Sequence, residues 1–270
     1  MSLITLTSDL GYNNFSLAEF KAKFVSQFPQ NPIIDLFHHQ EIYDIESIAY
    51  QILGALNTFP DDAIHIVYNK YAVQNSQLLI AKIGKQYILA PNNGLLSLIH
   101  FIDYNAKVFL LENSHDGSDG WSLWIQTVKS LLEDKIPRDA IETNQFVQTR
   151  PFNTDLHLLD DKIITRVIHT DSVGNVVLNV QKEIFYQHLD NRAFYIAFIS
   201  SKIFQLSPNY ATTYNQNRIG ALFNPTGFLE LFMIGGNLAK LFNINKWKNN
   251  KFEIILDNDT NRQINFQPRL

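Results

Sequence analysis

Three short stretches of this chain join polar residue types to spacings that chemistry could use, and one tyrosine stands beside them. In Leu3-Ile-Thr-Leu-Thr-Ser-Asp9-Leu-Gly11 an apolar run of strand length ends on a carboxylate and then a glycine. That order puts Asp9 at the carboxyl end of a strand, where open α/β sheets bind ligands. A carboxylate there accepts two hydrogen bonds from a ribose diol more strongly than a neutral side chain would. A turn or helix-capping aspartate is the alternative. In Asp171-Ser-Val-Gly-Asn175-Val-Val-Leu-Asn179 the polar pair Asp171 and Asn175 flanks a tight Val173-Gly174 turn. The amide of Asn175 can donate and accept at once, while an Asx-type hairpin turn calls for the same residues. Tyr214 offers a flat ring on which a heterocycle can stack, or a side chain for packing in a core. Asn224-Pro-Thr-Gly-Phe-Leu-Glu230 is turn-like, with a hydroxyl on Thr226.

The elements that position these residues follow from periodicity. Strands are predicted at Leu3 to Thr7, Pro32 to Leu36 and Ile64 to Tyr68, with a hairpin of Leu78 to Ile83 and Gln86 to Ala90 about Gly84-Lys85 and a further strand at Val108 to Leu111. Phe20, Phe24 and Phe28 recur at helical spacing, and Ile45, Ile48, Ala49, Ile52 and Leu56 line one face of a second helix. Asp119 is read as the cap of a helix with Trp121, Trp124, Ile125, Val128, Leu131 and Leu132 turned inward. Alternation of this kind implies a largely parallel sheet covered by helices. After Arg150 short strands dominate, with one helix at Lys182 to Leu189; strands at Lys162 to Ile168, Asn175 to Val180, Ala193 to Ser200, Ile219 to Phe223, Phe228 to Met233, Phe252 to Leu256 and Gln263 to Phe266 suggest a small β-barrel or sandwich. The expected architecture is an α/β domain over residues 1–152, a linker over 153–161 and a β-barrel domain over 162–270.

Composition narrows the function. The 270 residues are 46% hydrophobic and 18% charged, with 20 Phe, 11 Tyr and no Cys, so thiol nucleophiles, thiolate metal sites and disulfides are excluded. A net charge of -4 argues against non-specific nucleic-acid binding, which rests on neutralising phosphates. Lys246-Trp-Lys248 with Lys251 reads as a solvated loop. No apolar run has the length of a membrane span, and the start of the chain lacks a basic and apolar leader, so a cytoplasmic protein is expected. Dinucleotide and phosphate-loop glycine patterns, the zinc-protease helix and the serine-elbow motif are all missing. The eight His have no metal-ligand spacing, and His115-Asp-Gly-Ser-Asp119 lacks the remaining ligands of a calcium loop. Neither a metal nor a cofactor is expected.

Taken together, and with Pro91-Asn-Asn-Gly-Leu-Leu-Ser97 between them, these stretches resemble the S-adenosyl-L-methionine (SAM) hydroxide adenosyltransferase family, relatives of the SAM-dependent fluorinases and chlorinases. The resemblance spans nearly the whole chain and implies the same two-domain layout. It implies that Asp9 binds the ribose, Asp171 the methionine ammonium, and Asn175 the adenine edge, with Tyr214 stacked on adenine. The family's Asn-Ser-x-Gly turn, which holds the methionine carboxylate, becomes Asn224-Pro-Thr-Gly here; Pro225 removes a hydroxyl and a backbone donor together, and Thr226 returns a hydroxyl one position on. Tyr43 falls in a loop where relatives place site residues. The likeness also implies a homotrimer whose sites are shared between neighbouring subunits.

At the family's catalytic positions the chain departs. Relatives orient and activate the attacking water with an Asp, an Arg and a His; Lys70, Gln77 and Asp116 stand there, with His115 one residue upstream. An ammonium about 5 Å from the substrate sulfonium costs roughly 3 kcal/mol at an effective dielectric near 20. Three functions follow: a divergent enzyme that cleaves SAM to adenosine and methionine, a nucleoside-binding protein without the chemistry, or an enzyme acting on an adenosine derivative with an anionic 5′ group.

Overall fold

Five residues, Ile4–Ser8, form the first strand (β1), and every one of them is buried. A fully buried strand needs cover on both faces, and the sequence supplies it with amphipathic helices. The computed structural model describes residues 2–38, 44–69, 77–100, 106–111, 122–198, 201–214, 218–244 and 251–257. The chain divides into two units, Met1–Pro151 and Phe152–Leu270.

In the first unit β1 is followed by α1 (Phe15–Gln27), β2 (Ile33–His38), α2 (Ile45–Thr58), β3 (Ile64–Tyr68), β4 (Leu78–Ile83), β5 (Gln86–Pro91), α3 (Leu95–His100), β6 (Lys107–Leu111), α4 (Ser122–Leu132) and β7 (Ala140–Glu142). The sheet order is β2-β1-β3-β5-β4-β6-β7. Its first half, through β5, is parallel. The other half is antiparallel, because the Gly84 turn at φ +58° folds β4 straight back onto β5. On one face Phe20 and Phe24 of α1 join Trp124, Val128 and Leu131 of α4 over Ile4, Leu6, Ile64 and Ile66; the two Phe rings stack at 4.4 Å. Fully burying such a side chain contributes about 1.5–3 kcal/mol, so this layer is what anchors the strand ends. Alternate residues such as Thr5 and His65 face the other way, where Phe59, just past α2, meets the His65 ring edge-on at 6.1 Å. Helix α2 starts where Asp44 Oδ1 accepts from Ser47 N–H at 2.9 Å, a side-chain cap on an otherwise unsatisfied donor.

The second unit contains β8 (His157–Leu158), β9 (Lys162–Thr170), β10 (Val176–Gln181), α5 (Lys182–Leu189), β11 (Ala193–Phe198), β12 (Ser201–Ile203), β13 (Ile219–Phe223), β14 (Phe228–Met233), α6 (Leu238–Leu241) and β15 (Lys251–Asp257). Strands run in the order β12-β11-β15-β9-β10-β14-β13, with β8 on β9. The two ends of that path, β12 and β13, touch, so the sheet is a nearly closed barrel around Val176, Leu178, Val180, Phe185, Ile196, Leu229, Leu231 and Ile254. Residues 153–161, read above as a linker, carry β8, whose His157 and Leu158 pair with Ile164 and Ile163. Tyr43, Lys70, His115, Asp116, Asp119, Trp121, the 246–248 segment and the strand expected at 263–266 lie outside the described residues.

Candidate functional site

Strand order singles out one edge of the first unit. The chain leaves β1 for β2 on one side and then crosses to β3 on the other, so β1 is where the winding reverses. At such a reversal the loops part and leave a crevice outside the carboxyl ends of the strands. Asp9 is the first residue past β1, its N–H donating to Tyr68 O at 3.4 Å at the end of β3. Gly11, at φ +71°, lets the chain turn away. Burial raises the Tyr68 phenol above its ordinary value, and the negative charge of Asp9 adds to the rise, so Asp9 and Tyr68 share this edge. Asn69 follows Tyr68 and is buried.

Next to Asp9 begins a polar chain that runs from the buried Ser8 and His38 to the partly exposed Asp35 and Lys21. Ser8 Oγ and His38 Nδ1 are 2.7 Å apart, and Leu10 N–H reaches Ser8 Oγ at 3.3 Å. On the far side of the ring, Nε2 approaches Asp35 Oδ1 at 3.3 Å, and the other carboxylate oxygen accepts from Lys21 Nζ at 2.8 Å. Burial pulls the His38 imidazole below the usual histidine range, and Asp35 opposes that without overcoming it; the ring is neutral at pH 7. Burial alone would raise the Asp35 carboxyl, but Lys21 and His38 together hold it below its ordinary value.

Gln77, the described member of the three departures, precedes β4. Its carbonyl accepts from Asn92 N–H at 2.7 Å and its Oε1 from Asn92 Nδ2 at 3.3 Å. Asn92 in turn accepts Val147 N–H at 2.8 Å. The Pro91-Asn-Asn-Gly stretch is therefore a turn that fixes neighbouring backbone and starts α3.

In the second unit the candidates sit on two hairpin turns. Asp171 Oδ1 accepts from Val173 N–H at 3.1 Å and Asn175 N–H at 2.8 Å, and Oδ2 from Asn175 Nδ2 at 2.9 Å. The pair builds the Asx-type turn, and in doing so fixes which way the Asn175 amide points. The turn itself leaves Asn175 Oδ1, its second amide hydrogen and lone-pair capacity on Asp171 unused. Gly174, at φ +92°, is packed on Asn237: a Cβ there would stand 2.1 Å from Asn237 Oδ1. Asn179, in register with them in the sequence, has a different task. Its Oδ1 accepts from Thr165 Oγ1 at 2.6 Å and Arg166 N–H at 3.0 Å, and its Nδ2 donates to the carbonyls of Phe152 and Thr154. Asn179 is a buried fastener, fully used.

The second turn centres on Asn224. Its Oδ1 accepts from Thr226 N–H at 3.1 Å, Thr226 Oγ1 at 2.6 Å and Phe228 N–H at 3.2 Å, and its Nδ2 donates to Glu230 Oε2 at 2.7 Å. The Thr226 hydroxyl hydrogen is thus committed to Asn224, which leaves the hydroxyl oxygen as an acceptor only. Register separates the turns: Val176 pairs with Leu231 near the start of β10, whereas Lys182 N–H bonds Gly227 O just past its end. Asp171 with Asn175 and Thr226 therefore lie at opposite ends of β10. Between them is Glu230, 5% exposed; burial raises its carboxyl, hydrogen bonds from Asn224 and Tyr210 oppose this, and the Asp171 charge adds to the rise. Sequence reading passed over Glu230, although a carboxylate on the strand face shared with Phe228 and Phe232 is itself a signal. Tyr214 is 55% exposed, its ring available for stacking. Among the described residues no group of His, Asp or Glu is arranged to hold a metal ion, and no helix is long and apolar enough to cross a membrane.

With this geometry in place the comparisons are direct. The family model for the SAM hydroxide adenosyltransferase N-terminal domain matches residues 4–124, and that for the C-terminal domain of the same family matches residues 165–249. The chain belongs to the SAM hydroxide adenosyltransferase family. It is 23% identical over 260 residues to the (R)-S-adenosyl-L-methionine hydrolase of Methanocaldococcus jannaschii, covering 90% of this chain and 93% of that one. Over 112 residues it is 28% identical to the enzyme of the same name from Thermus thermophilus, covering 42% and 44% of the two chains. Among solved structures, an uncharacterised conserved protein of Thermotoga maritima superposes with a TM-score of 0.79 at 17% identity, over 94% of this chain and 100% of that one. A conserved hypothetical protein of Thermus thermophilus reaches 0.66 at 18% identity, over 95% and 100%. The fold of this family member is thus the α/β unit and near-closed barrel described above.

Proposed function

We propose that this protein binds SAM and cleaves it to adenosine and methionine. One observation carries the reading: Asp9 stands at the winding reversal of a sheet that the family model covers from its first strand. In this reading Asp9 accepts the ribose hydroxyls, and the second unit offers Asn175, its amide already oriented by Asp171, as a reader of an adenine edge and Tyr214 as a stacking ring. Water then attacks the 5′ carbon; the C–S bond breaks, its electron pair passes to the sulfonium sulfur, and the water proton leaves to solvent. The names of both curated relatives support this over a binding protein without chemistry or an enzyme for an anionic derivative.

Turnover is slow in this reading, because a neutral Gln77 replaces a cation and Lys70 and Asp116 replace the carboxylate and imidazole. Residues that act as a unit lose most of their effect when one is changed. The methionine carboxylate finds no donor in the Thr226 hydroxyl, whose hydrogen is spent on Asn224. A homotrimer and cytoplasmic residence belong to the same proposal, and a monomer in light scattering at micromolar concentration would count against the trimer. The decisive experiment is product analysis after long incubation with SAM, beside the triple variant Lys70→Asp, Gln77→Arg, Asp116→His. Slow release of adenosine and methionine, raised in the triple variant, is expected. No product from either protein, with adenosine still bound, would return the reading to a binding protein.

A further inference from the structure

We infer that His38 is a positioning residue, which through Ser8 clamps the turn that presents Asp9. The inference rests on the reading of Asp9 as the ribose acceptor and adds how that acceptor is held. The charge at one end of the chain favours one direction for the contacts along it. Asp35, paired to Lys21 at 2.8 Å, lies 3.3 Å from His38 Nε2, outside hydrogen-bond geometry, and the charge of a carboxylate on that side favours the tautomer with the imidazole hydrogen on Nε2. Nδ1 is then an acceptor, and the hydrogen in its 2.7 Å contact comes from the Ser8 hydroxyl. With that hydrogen spent, Ser8 Oγ can only accept, and it takes Leu10 N–H at 3.3 Å. The bond from residue 10 back to residue 8 closes over Asp9, so the residue between them is held in one backbone conformation.

Three details favour a clamp over other uses of these groups. Serine, histidine and aspartate in a row invite comparison with a nucleophilic triad, but Ser8 is 1% exposed and its oxygen already accepts the Leu10 amide. The His38 side chain is fully buried, with Tyr12 lying edge-on over it at 4.9 Å, so the ring meets no substrate. Lys21 lies on α1 and Asp35 and His38 on β2; the chain therefore ties the two elements that follow β1 back to the end of β1. Pre-organising an acceptor in this way removes an ordering cost that the ligand would otherwise meet.

The test uses the full chain and adenosine as probe. In a long-range nitrogen–proton correlation spectrum at pH 7, His38 is expected as the Nε2–H tautomer. Ser8→Ala and His38→Leu are each expected to weaken adenosine binding about three- to tenfold, the share of one lost hydrogen bond, and to speed exchange of the Leu10 amide hydrogen. His38→Asn, whose Oδ1 can accept in place of Nδ1, is expected to recover much of both. Should His38→Leu fail to fold, Ser8→Ala, which deletes one buried oxygen, decides alone. An Nδ1–H tautomer, or a Ser8→Ala protein with unchanged Leu10 exchange and affinity, overturns the clamp. Asp9→Ala separates the two readings: unchanged affinity in that variant sinks the ribose assignment, while the tautomer and Leu10 exchange still decide how the turn is held.

Discussion

The two units support their candidate residues in opposite ways. At the edge of the first unit, Asp9 is held by partners distant in the chain: Ser8 and His38 are 30 residues apart, and Lys21 and Asp35 are 14 apart. In the second unit the candidates hold themselves, Asp171 with Asn175 four residues on and Asn224 with Thr226 two residues on. A self-held turn keeps its shape wherever the hairpin is placed. A long-range clamp exists only once the strands have paired, so the conformation of Asp9 depends on the integrity of the whole sheet edge.

The largest effect that would sharpen this contrast is expected at Asn224. Replacing it with Ala removes the acceptor of three donors and takes one hydrogen bond from the buried Glu230 carboxylate; losing a hydrogen bond to a charged group costs about 1.5–3 kcal/mol. Urea unfolding should show that loss in the second unit, and Glu230→Gln should recover part of it by removing the stranded charge. A loss under about 1 kcal/mol would mean that the Asn224 turn is not self-held.

Acid should reach the first unit through His65. Burial lowers its imidazole from 6.5 to about 4, with a hydrogen bond to Gln86 opposing the shift. The neutral form is preferred in the fold, so its stabilisation is intact above pH 6.5 and lost as pH falls toward 4, a difference on the order of 3 kcal/mol. Glu230 has the reverse sign: its raised value means that its contribution is present below the ordinary carboxylate value and declines as pH rises through the folded one. Unfolding curves of the parent chain and a His65→Gln variant, taken between pH 4 and 7, check the first; an identical pH slope in both breaks the assignment.

Binding comes next. Asp9→Ala should weaken adenosine by about 1.5–3 kcal/mol, the share of a charged hydrogen bond, tenfold or more in calorimetry, with little change in unfolding. The smallest effect is expected for Asp171→Ala. Its turn loses a side-chain cap at a cost of about 1–2 kcal/mol, but the rest of the hairpin stays paired and the Asp9 edge should not respond. A change in Leu10 amide exchange in that variant would contradict the separation drawn between the two regions.

Local chemistry was readable from residue order alone. Helix α2, β3, the Gly84 hairpin, α5 and the strands β9, β10, β11, β13, β14 and β15 follow from periodicity and turn residues, because each depends on neighbours within a few positions. The same holds for the Asp171–Asn175 and Asn224 turns, and for the placing of Asp9 after a strand. Five short elements, α3, β7, β8, β12 and α6, were not anticipated: segments of two to six residues carry too little periodicity to be distinguished from loop. The strand order, and with it the winding reversal beside β1, was decided only when β1 settled between β2 and β3. The burial of Glu230 between two turns, the diversion of Asn179 into fastening Phe152 and Thr154, and the line from Lys21 through Asp35 and His38 to Ser8 were settled in the same way. Each joins residues whose nearness is set by sheet register, and register is a property of how strands share buried faces rather than of any one strand's composition.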